Sequence, residues 1–452
     1  MSEVNIRQLS LEILMKVVEE KEYSSVVIPQ VLNVYQYLEK QERAFLTRLC
    51  EGTIERMLEL DYVINEFSKV KVKKMKPVIR NILRMGVYQL MYMKQVPASA
   101  ACNEAVKLAK KKGFQNLKGF VNGVLRNISR NLDNISYPDK EKQPFLYLSV
   151  TYSMPEWIVK LWVAQYGMEQ TERMLQAGFA DRPTTIRCNL QKNSVKQLQE
   201  ELEQAGVTVE SGAYVDSALR ISGYDYLQKL KAFQEGKFTV QDESSMLVGL
   251  VADIKPDQTV VDVCAAPGGK SLHAADLLKG TGMVSSRDVS ERKVEKIEEN
   301  CRRLGYTNMD MKVWDAREWD KEYIEKADVV IADLPCSGLG VMGKKNDIKY
   351  KTSPDSIKEL AALQREILKT VVSYVKPGGT LIYSTCTVNE EENEQNMRWI
   401  ESELGLRLDS MDPYLPASLK SSTTKDGYLQ LLPGVHKTDG FFLCRFKVLA
   451  DR

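Results

Sequence analysis

The chain has 452 residues, with 63 Lys and Arg against 61 Asp and Glu, 43% hydrophobic and 27% charged residues, and a formal net charge of +2. That length calls for two or three globular units, and the composition excludes a wholly disordered or collagen-like chain. No apolar run approaches the roughly 18 residues of a membrane span, and MSEVNIRQLSLEIL lacks a basic region followed by a continuous apolar one, so a cytoplasmic protein is expected.

From residue 5 to about 130 the apolar residues recur at helical spacing: Ile6, Leu9, Ile13 and Val17; then Ile79, Ile82, Leu83, Val87 and Leu90; then Leu117, Phe120, Val121, Val124, Leu125 and Ile128. This predicts an all-α bundle over 1–135. Residues 67–130 hold fifteen Lys or Arg and one acid, Glu104. Such a concentration of charge attracts a polyanion, nucleic acid being the commonest. Lys110, Lys111 and Lys112 are explained equally well as cations ending a helix before Gly113, but Lys69, Lys71, Lys73, Lys74 and Lys76 are not. Residues 136–149, with Pro138, Pro144 and the charged DKEK, read as a linker.

Residues 150–235 read as a small α+β module that contributes RNA-binding surface. Thr184 to Asn189 is strand-like, Val195 to Ala205 is helical before Gly206, and Val207 to Val209 and Leu219 to Ile221 are further strands. From 236 to 452 short apolar runs, TVVDVCA, MVSSRD, MKVWD, DVVIADLPC and GTLIYSTC, alternate with helical stretches. That alternation predicts a parallel, doubly wound α/β sheet. Ser353-Pro354-Asp355 starts a helix expected to run to about Val375, and Lys376-Pro377-Gly378-Gly379 is expected to turn the chain into the next strand.

Eight cysteines without a C-x-x-C pair, and only His273 and His436, argue against a metal site. A large, Lys-rich chain of this kind is expected to keep its thiols reduced.

Open α/β sheets bind ligands beyond the carboxyl ends of their strands. The first such end reads Asp262-Val-Cys264-Ala265-Ala266-Pro267-Gly268-Gly269-Lys270-Ser271, where the glycines allow a ligand close to the backbone. It fits neither G-x-x-x-x-G-K-[ST] nor G-x-G-x-x-G. Asp288 ends the next strand, where a carboxylate accepts hydrogen bonds from both hydroxyls of a ribose, and Asp315 ends the third, beside the adenine of such a cofactor. The fourth and fifth strands end in Asp333-Leu334-Pro335-Cys336 and Ser384-Thr385-Cys386-Thr387. In the usual order strands one, four and five are neighbours, about 5 Å apart, so the glycine turn and both thiols should converge.

CAAPGGKS, the acid Asp288, DLPCSGLG and YSTCTVNEEENE resemble the signature motifs of the Nol1/Nop2/Sun group of RNA cytosine-C5 methyltransferases, over roughly residues 150 to 448. VPASAACNEAVKLAKKKGF and KGFVNGVLRNI are similar to the NusB RNA-binding fold. The resemblance implies a NusB-like helical domain, a small α+β module and a Rossmann-like class I methyltransferase domain that uses S-adenosylmethionine. It implies methylation at C5 of a specific cytosine in 16S small-subunit rRNA, the counterpart of cytosine 967, by a monomer acting on neither membrane nor DNA. Residues Cys264 to Lys270, Asp288, Asp315 and Asp333 would hold the cofactor. Two departures stand out: MGKKNDIKY has Asn346 and Tyr350 where relatives commonly carry proline and tryptophan, and Arg287 is less apolar than expected.

Cytosine C5 is a weak nucleophile, so a thiolate must first add at C6. The resemblance implies that Cys386 attacks and Cys336 assists proton removal and product release. The exchanged assignment stays open, because DNA cytosine methyltransferases attack with a Pro-Cys thiol. Asp333 would hydrogen-bond the cytosine N3/N4 edge, and Lys270 would place positive charge near the carboxylates or substrate. Extruding the base costs a few kcal/mol, which the basic helices, the middle module and Lys344, Lys345, Lys349 and Lys351 would offset through RNA contact. The alternatives are a tRNA C5-methyltransferase and a catalytically silent RNA-binding or antitermination factor.

Overall fold

The structure is a computed structural model that describes residues 4–180 and 183–449. The chain packs as two compact units, Met1–Gln176 with Met342–Thr352, and Ala177–Val341 with Ser353–Arg452.

The first unit is helical, with helices at Ile6–Leu14, Ser24–Val34, Lys40–Glu55, Met57–Phe67, Pro77–Tyr92, Ala98–Lys111 and Lys118–Arg130. The expected stripes form its core: Leu9, Ile13, Val17, Ile79, Ile82, Leu83, Val87, Val121, Val124, Leu125 and Ile128 are all buried, while Leu90, Leu117 and Phe120 pack at its margin. Lys69, Lys71, Lys73, Lys74 and Lys76 are exposed. Arg80, Arg84 and Lys112 instead pair with Glu19, Asp61 and Glu12. Part of the predicted excess is therefore neutralised from outside its own stretch. Lys110 and Lys111 end their helix and Gly113 follows at φ +85°, as the sequence suggests.

The expected linker is a correction. Pro144 starts a helix, Pro144–Thr151, at a position that needs no amide donor, and this helix packs on Met57–Phe67 through buried Leu148 and Val150. The break in packing falls after Gln176.

The loop lysines are a second correction. Within the first unit, Asp347 accepts from the Ser24 amide at 3.0 Å and the Ser24 hydroxyl at 2.6 Å. Lys349 donates to the Glu55 carbonyl at 2.8 Å, and Lys351 to the Glu22 carbonyl at 2.7 Å while also pairing with Asp347. Tyr350, standing where tryptophan was expected, puts its hydroxyl 3.1 Å from that of Ser153. Lys349 and Lys351 thus spend their donors on the helical unit rather than offering them to RNA. Lys344 and Lys345 remain exposed.

The second unit begins with an antiparallel four-stranded sheet in the order Thr208–Ser211, Ala218–Ser222, Thr184–Cys188, Phe238–Val240, with the helix Val195–Gln204 burying Leu198 and Leu202. The last strand extends the module beyond residue 235.

The larger sheet runs Arg407–Leu408, Phe441–Lys447, Val375–Thr385, Ala327–Asp333, Thr259–Asp262, Met283–Asp288, Met309–Val313, with Tyr428–Leu431 paired to Phe441–Lys447. Five strands are parallel and in the expected order. Phe441–Lys447 is antiparallel to Val375–Thr385, so the sheet is mixed rather than wholly parallel. The helix Pro354–Val371 starts at the Ser353 cap and gives way to a 3-10 turn, Val372–Tyr374. The following strand already starts at Val375, and Lys376–Gly379 lies within it rather than in a separate turn.

Arg287 has a packing explanation. Its side chain is 1% exposed, donates to Asp320 at 2.9 Å and lies 4.3 Å from the Tyr323 ring centre, with Trp314 and Tyr374 also facing it. A buried guanidinium paired with a carboxylate and enclosed by aromatic faces replaces an apolar contact there.

Candidate functional site

The carboxyl ends of the parallel strands all fall on one edge of the sheet, and side chains there are fixed by register. Asp333 lies opposite Ser384 in the pairing of adjacent strands, and the Ser384 hydroxyl donates to Asp333 Oδ1 at 2.8 Å. Lys270, on the first turn of the helix Gly269–Leu277, reaches Asp333 Oδ2 at 2.6 Å and lies 5.3 Å from the Phe441 ring centre. Burial alone would lower the Lys270 pKa, but Asp333, Asp262 and Cys386 outweigh it and hold the ammonium above its ordinary value.

The two sulfur atoms of Cys336 and Cys386 lie 3.3 Å apart, and both residues are half-buried. The sequence-predicted convergence is present. The Gly340 amide donates to the Cys386 carbonyl at 3.1 Å, and the Gly440 amide donates to the Gly340 carbonyl at 2.9 Å. A Cβ at Gly340 would stand 2.0 Å from the Gly440 carbonyl oxygen, so glycine is required for this close approach. The Cys336 thiol titrates well above its ordinary value because of its contact with Cys386, then burial, then the charges of Glu392 and Asp333.

The glycine turn has the backbone that its sequence implies. The Ala266–Pro267 bond is cis, and Gly268 sits at φ +104° with room for a Cβ only by pressing on Ile297 and Leu272 at 3.2 Å. The Gly268 amide donates to the Ala265 carbonyl at 2.7 Å and the Ala265 amide to the Arg287 carbonyl at 2.8 Å, which fix the turn against the next strand. Cys264 is half-buried, and burial together with Asp262, Asp288 and Asp333 keeps its thiol protonated.

Asp288 is 5% exposed at the end of its strand, with Lys293 at 3.2 Å. Asp315 stands two residues past its strand and is clamped by Arg317, whose Nη2 is 2.6 Å and Nε 3.0 Å from the carboxylate. Those hydrogen bonds hold it below the usual carboxylate range. Its position suits a rim contact, but its charge is already matched.

Sequence reasoning did not single out Asp262 or Glu392. Asp262 is fully buried, accepts from the Ser271 hydroxyl at 2.6 Å through Oδ2, and makes no well-aligned hydrogen bond through Oδ1 among the described residues. Burial raises its pKa to about 7, with Ser271 and Lys270 opposing. A carboxyl whose folded pKa exceeds its unfolded value makes the folded state bind the extra proton, so its contribution to stability declines as pH rises from about 4 to 7. Asp262→Asn should therefore gain stability over the unaltered chain between pH 5 and pH 8, by up to roughly 3 kcal/mol, in urea melts. An identical difference at both pH values would show that Asp262 does not titrate in that window.

The comparisons with known proteins agree with this arrangement. Residues 250–447 match the family described as 16S rRNA methyltransferase RsmB/F, and residues 4–130 match the NusB family. Residues 154–227 match a ferredoxin-like domain of RsmF/B-like methyltransferases, beginning ahead of the packing break at Gln176. The probable ribosomal RNA small subunit methyltransferase B of Bacillus subtilis (strain 168) is 37% identical, over 99% of each chain. The corresponding probable enzyme of Synechocystis sp. is 34% identical, over 98% of this chain and 99% of its own. Among solved structures, that of PH0851 superposes with a TM-score of 0.81 at 27% identity, covering 98% of this chain and 99% of its own. NSun6 from Pyrococcus horikoshii, solved with SFG, has a TM-score of 0.59 at 23% identity over 66% of this chain and 99% of its own, which shows the shared fold.

Proposed function

The chain belongs to the family of ribosomal RNA small subunit methyltransferases B, and from that premise we propose that it methylates C5 of one cytosine in 16S rRNA, the counterpart of cytosine 967, through a covalent cysteine adduct. The enzyme uses S-adenosylmethionine, which when bound supplies an electrophilic methyl group. The observation that carries the reading is the 3.3 Å separation of the Cys336 and Cys386 sulfurs beside the Lys270–Asp333 pair.

The residues present fit the cofactor. Asp262 Oδ1 is a fully buried acceptor without a well-formed partner, suited to an ammonium group. Asp288 supplies a carboxylate for ribose hydroxyls, and the turn from Cys264 to Lys270 offers backbone to a close ligand. Asp315, already held by Arg317, would contact the adenine from the end of the third strand.

Cys386 acts as nucleophile: its thiolate adds to C6, and the electron pair of the C5–C6 bond moves to C5, which then takes the methyl group. Lys270 lies close enough to Cys386 for the two charges to stabilise each other, which favours the thiolate. Asp333 accepts a hydrogen bond from the N4 amino group of the ring, which holds the base in place while its electrons shift during attack. Cys336, once it has given its own proton to solvent, accepts the C5 proton; the electrons of the C5–H bond re-form the C5–C6 double bond and Cys386 leaves as thiolate. The protein acts as a cytoplasmic monomer on RNA, with the exposed lysines of residues 69 to 76 among its phosphate contacts.

The purified chain, labelled S-adenosylmethionine and unmethylated small-subunit rRNA should yield label in 5-methylcytosine at a single position, mapped by bisulfite sequencing. Label in tRNA alone would replace the rRNA assignment. No transfer to either RNA would favour the silent antitermination factor.

A further inference from the structure

Two thiols 3.3 Å apart on the ends of adjacent strands are close to equivalent by geometry alone, yet the reaction requires one to attack and the other to wait. We propose that Glu392 is the positioning residue that assigns those roles, by clamping the loop after Cys336 to the loop after Cys386 and placing its negative charge on the Cys336 side of the pair. This rests on the adduct mechanism above and adds to it the group that breaks the symmetry.

Glu392 is completely buried in a run of three glutamates whose first member, Glu390, is exposed. Its carboxylate accepts from the Ser337 amide at 2.9 Å, the Ser337 hydroxyl, Asn389 Nδ2 at 2.6 Å and Gln364 Nε2 at 3.0 Å. All four donors are neutral, so the charge is solvated by fixed dipoles rather than cancelled by a cation. Ser337 directly follows Cys336, and its hydroxyl also lies 2.7 Å from that of Thr387, which directly follows Cys386. Gln364 reaches back to the Pro335 carbonyl at 2.8 Å, so both neighbours of Cys336 are tied to the same carboxylate or its partner. The Thr387 hydroxyl further accepts from the Leu339 amide at 3.2 Å. Breaking this network would free both thiol loops at once.

The surrounding charges are arranged with the same polarity. Cys336 faces Glu392, Asp333 and the neutral phenol of Tyr383, whereas Cys386 faces Lys270, itself shared with Asp333 and Asp262. Burial pushes the Glu392 carboxyl upward, and its four hydrogen bonds oppose that rise. A proton on Cys336 is thereby favoured over a proton on Cys386, which keeps Cys336 out of the attack. Once a base is bonded to Cys386, the loss of that sulfur's negative charge relieves Cys336 and lets it take up its later role as base.

The test is selective alkylation of the full chain by iodoacetamide as a function of pH, with peptide mass mapping of Cys336 and Cys386. In the unaltered chain Cys386 should label at least about tenfold faster than Cys336 at pH 7.5, equivalent to a pKa separation of one unit or more. Glu392→Gln should reduce that ratio about tenfold and lower kcat about a hundredfold, with KM for RNA changed less than about threefold. Glu392→Asp, which keeps the charge, should restore part of the selectivity. Should Glu392→Gln lack a cooperative melt, Ser337→Ala removes one donor and its link to Thr387, and should shift the ratio by at least about threefold. Equal labelling in the unaltered chain, or a ratio unmoved in a folded variant, overturns the role of Glu392. Methylation that survives Cys386→Ala overturns instead the adduct reading on which it rests.

Discussion

Cys386→Ala should abolish methyl transfer and yield no protein–RNA adduct, whereas Cys336→Ala should accumulate an adduct that survives denaturing electrophoresis. The expected loss for Cys386→Ala is at least about a thousandfold, because C5 has no other route to nucleophilic character once addition at C6 is removed. For Cys336→Ala the chemistry proceeds through addition and methylation and then stalls, since the C5 proton has lost its acceptor. The Cys386 thiol cannot leave until that proton does. The 3.3 Å separation makes the experiment sharp: with the sulfurs this close a swap of roles is sterically allowed and would show as the opposite pattern of adducts. That opposite pattern would assign attack to the Pro-Cys thiol, as in the DNA cytosine enzymes.

Lys270→Met should lower kcat by about a hundredfold to a thousandfold, in the range seen when a single preorganised electrostatic group is removed from an active site. The lysine is 12% exposed at its side chain and bonded to Asp333 at 2.6 Å, and Asp262 and Cys386 lie within its field. Removing it leaves two carboxyls near a thiol with no positive charge among them. The thiolate of Cys386 becomes harder to form. The activity of Lys270→Met should therefore recover in part at higher pH, where the thiol ionises without help, a recovery that loss of packing on Phe441 would not give. Lys270→Arg should not restore the full rate, because a planar fork cannot occupy the position of a compact ammonium. A loss below about tenfold in Lys270→Met would confine the residue to a structural role.

The parts of this site that are legible in sequence are those coded by local pattern. An apolar run ending in an acid or a Pro-Cys, followed by glycine, announces a strand end, and the parallel order then brings Asp333, Cys336 and Cys386 to one edge. The family resemblance carried by CAAPGGKS and DLPCSGLG holds across the whole chain. What sequence leaves hidden depends on partners far away along the chain. YSTCTVNEEENE shows three adjacent glutamates, and nothing in their spacing tells that Glu392 turns inward to Ser337 while Glu390 faces solvent. Lys349 and Lys351 look like phosphate contacts until the carbonyls of Glu55 and Glu22 claim them. Phe441–Lys447 has the composition of any buried strand, and its direction is set by pairing with Val375–Thr385, which composition does not encode.

The first unit is assembled from two stretches, Met1–Gln176 and Met342–Thr352, and this bears on how the protein is made. Translation delivers the helices first, and at roughly 5–20 residues per second the ribosome needs about 10 to 35 s more to supply the second stretch. During that interval the Ser24 amide and hydroxyl and the Glu55 carbonyl await Asp347 and Lys349. The nascent helices therefore mature only after Cys336 has been polymerised, and a shortened gene ending near residue 176 would yield a bundle lacking one of its own pieces.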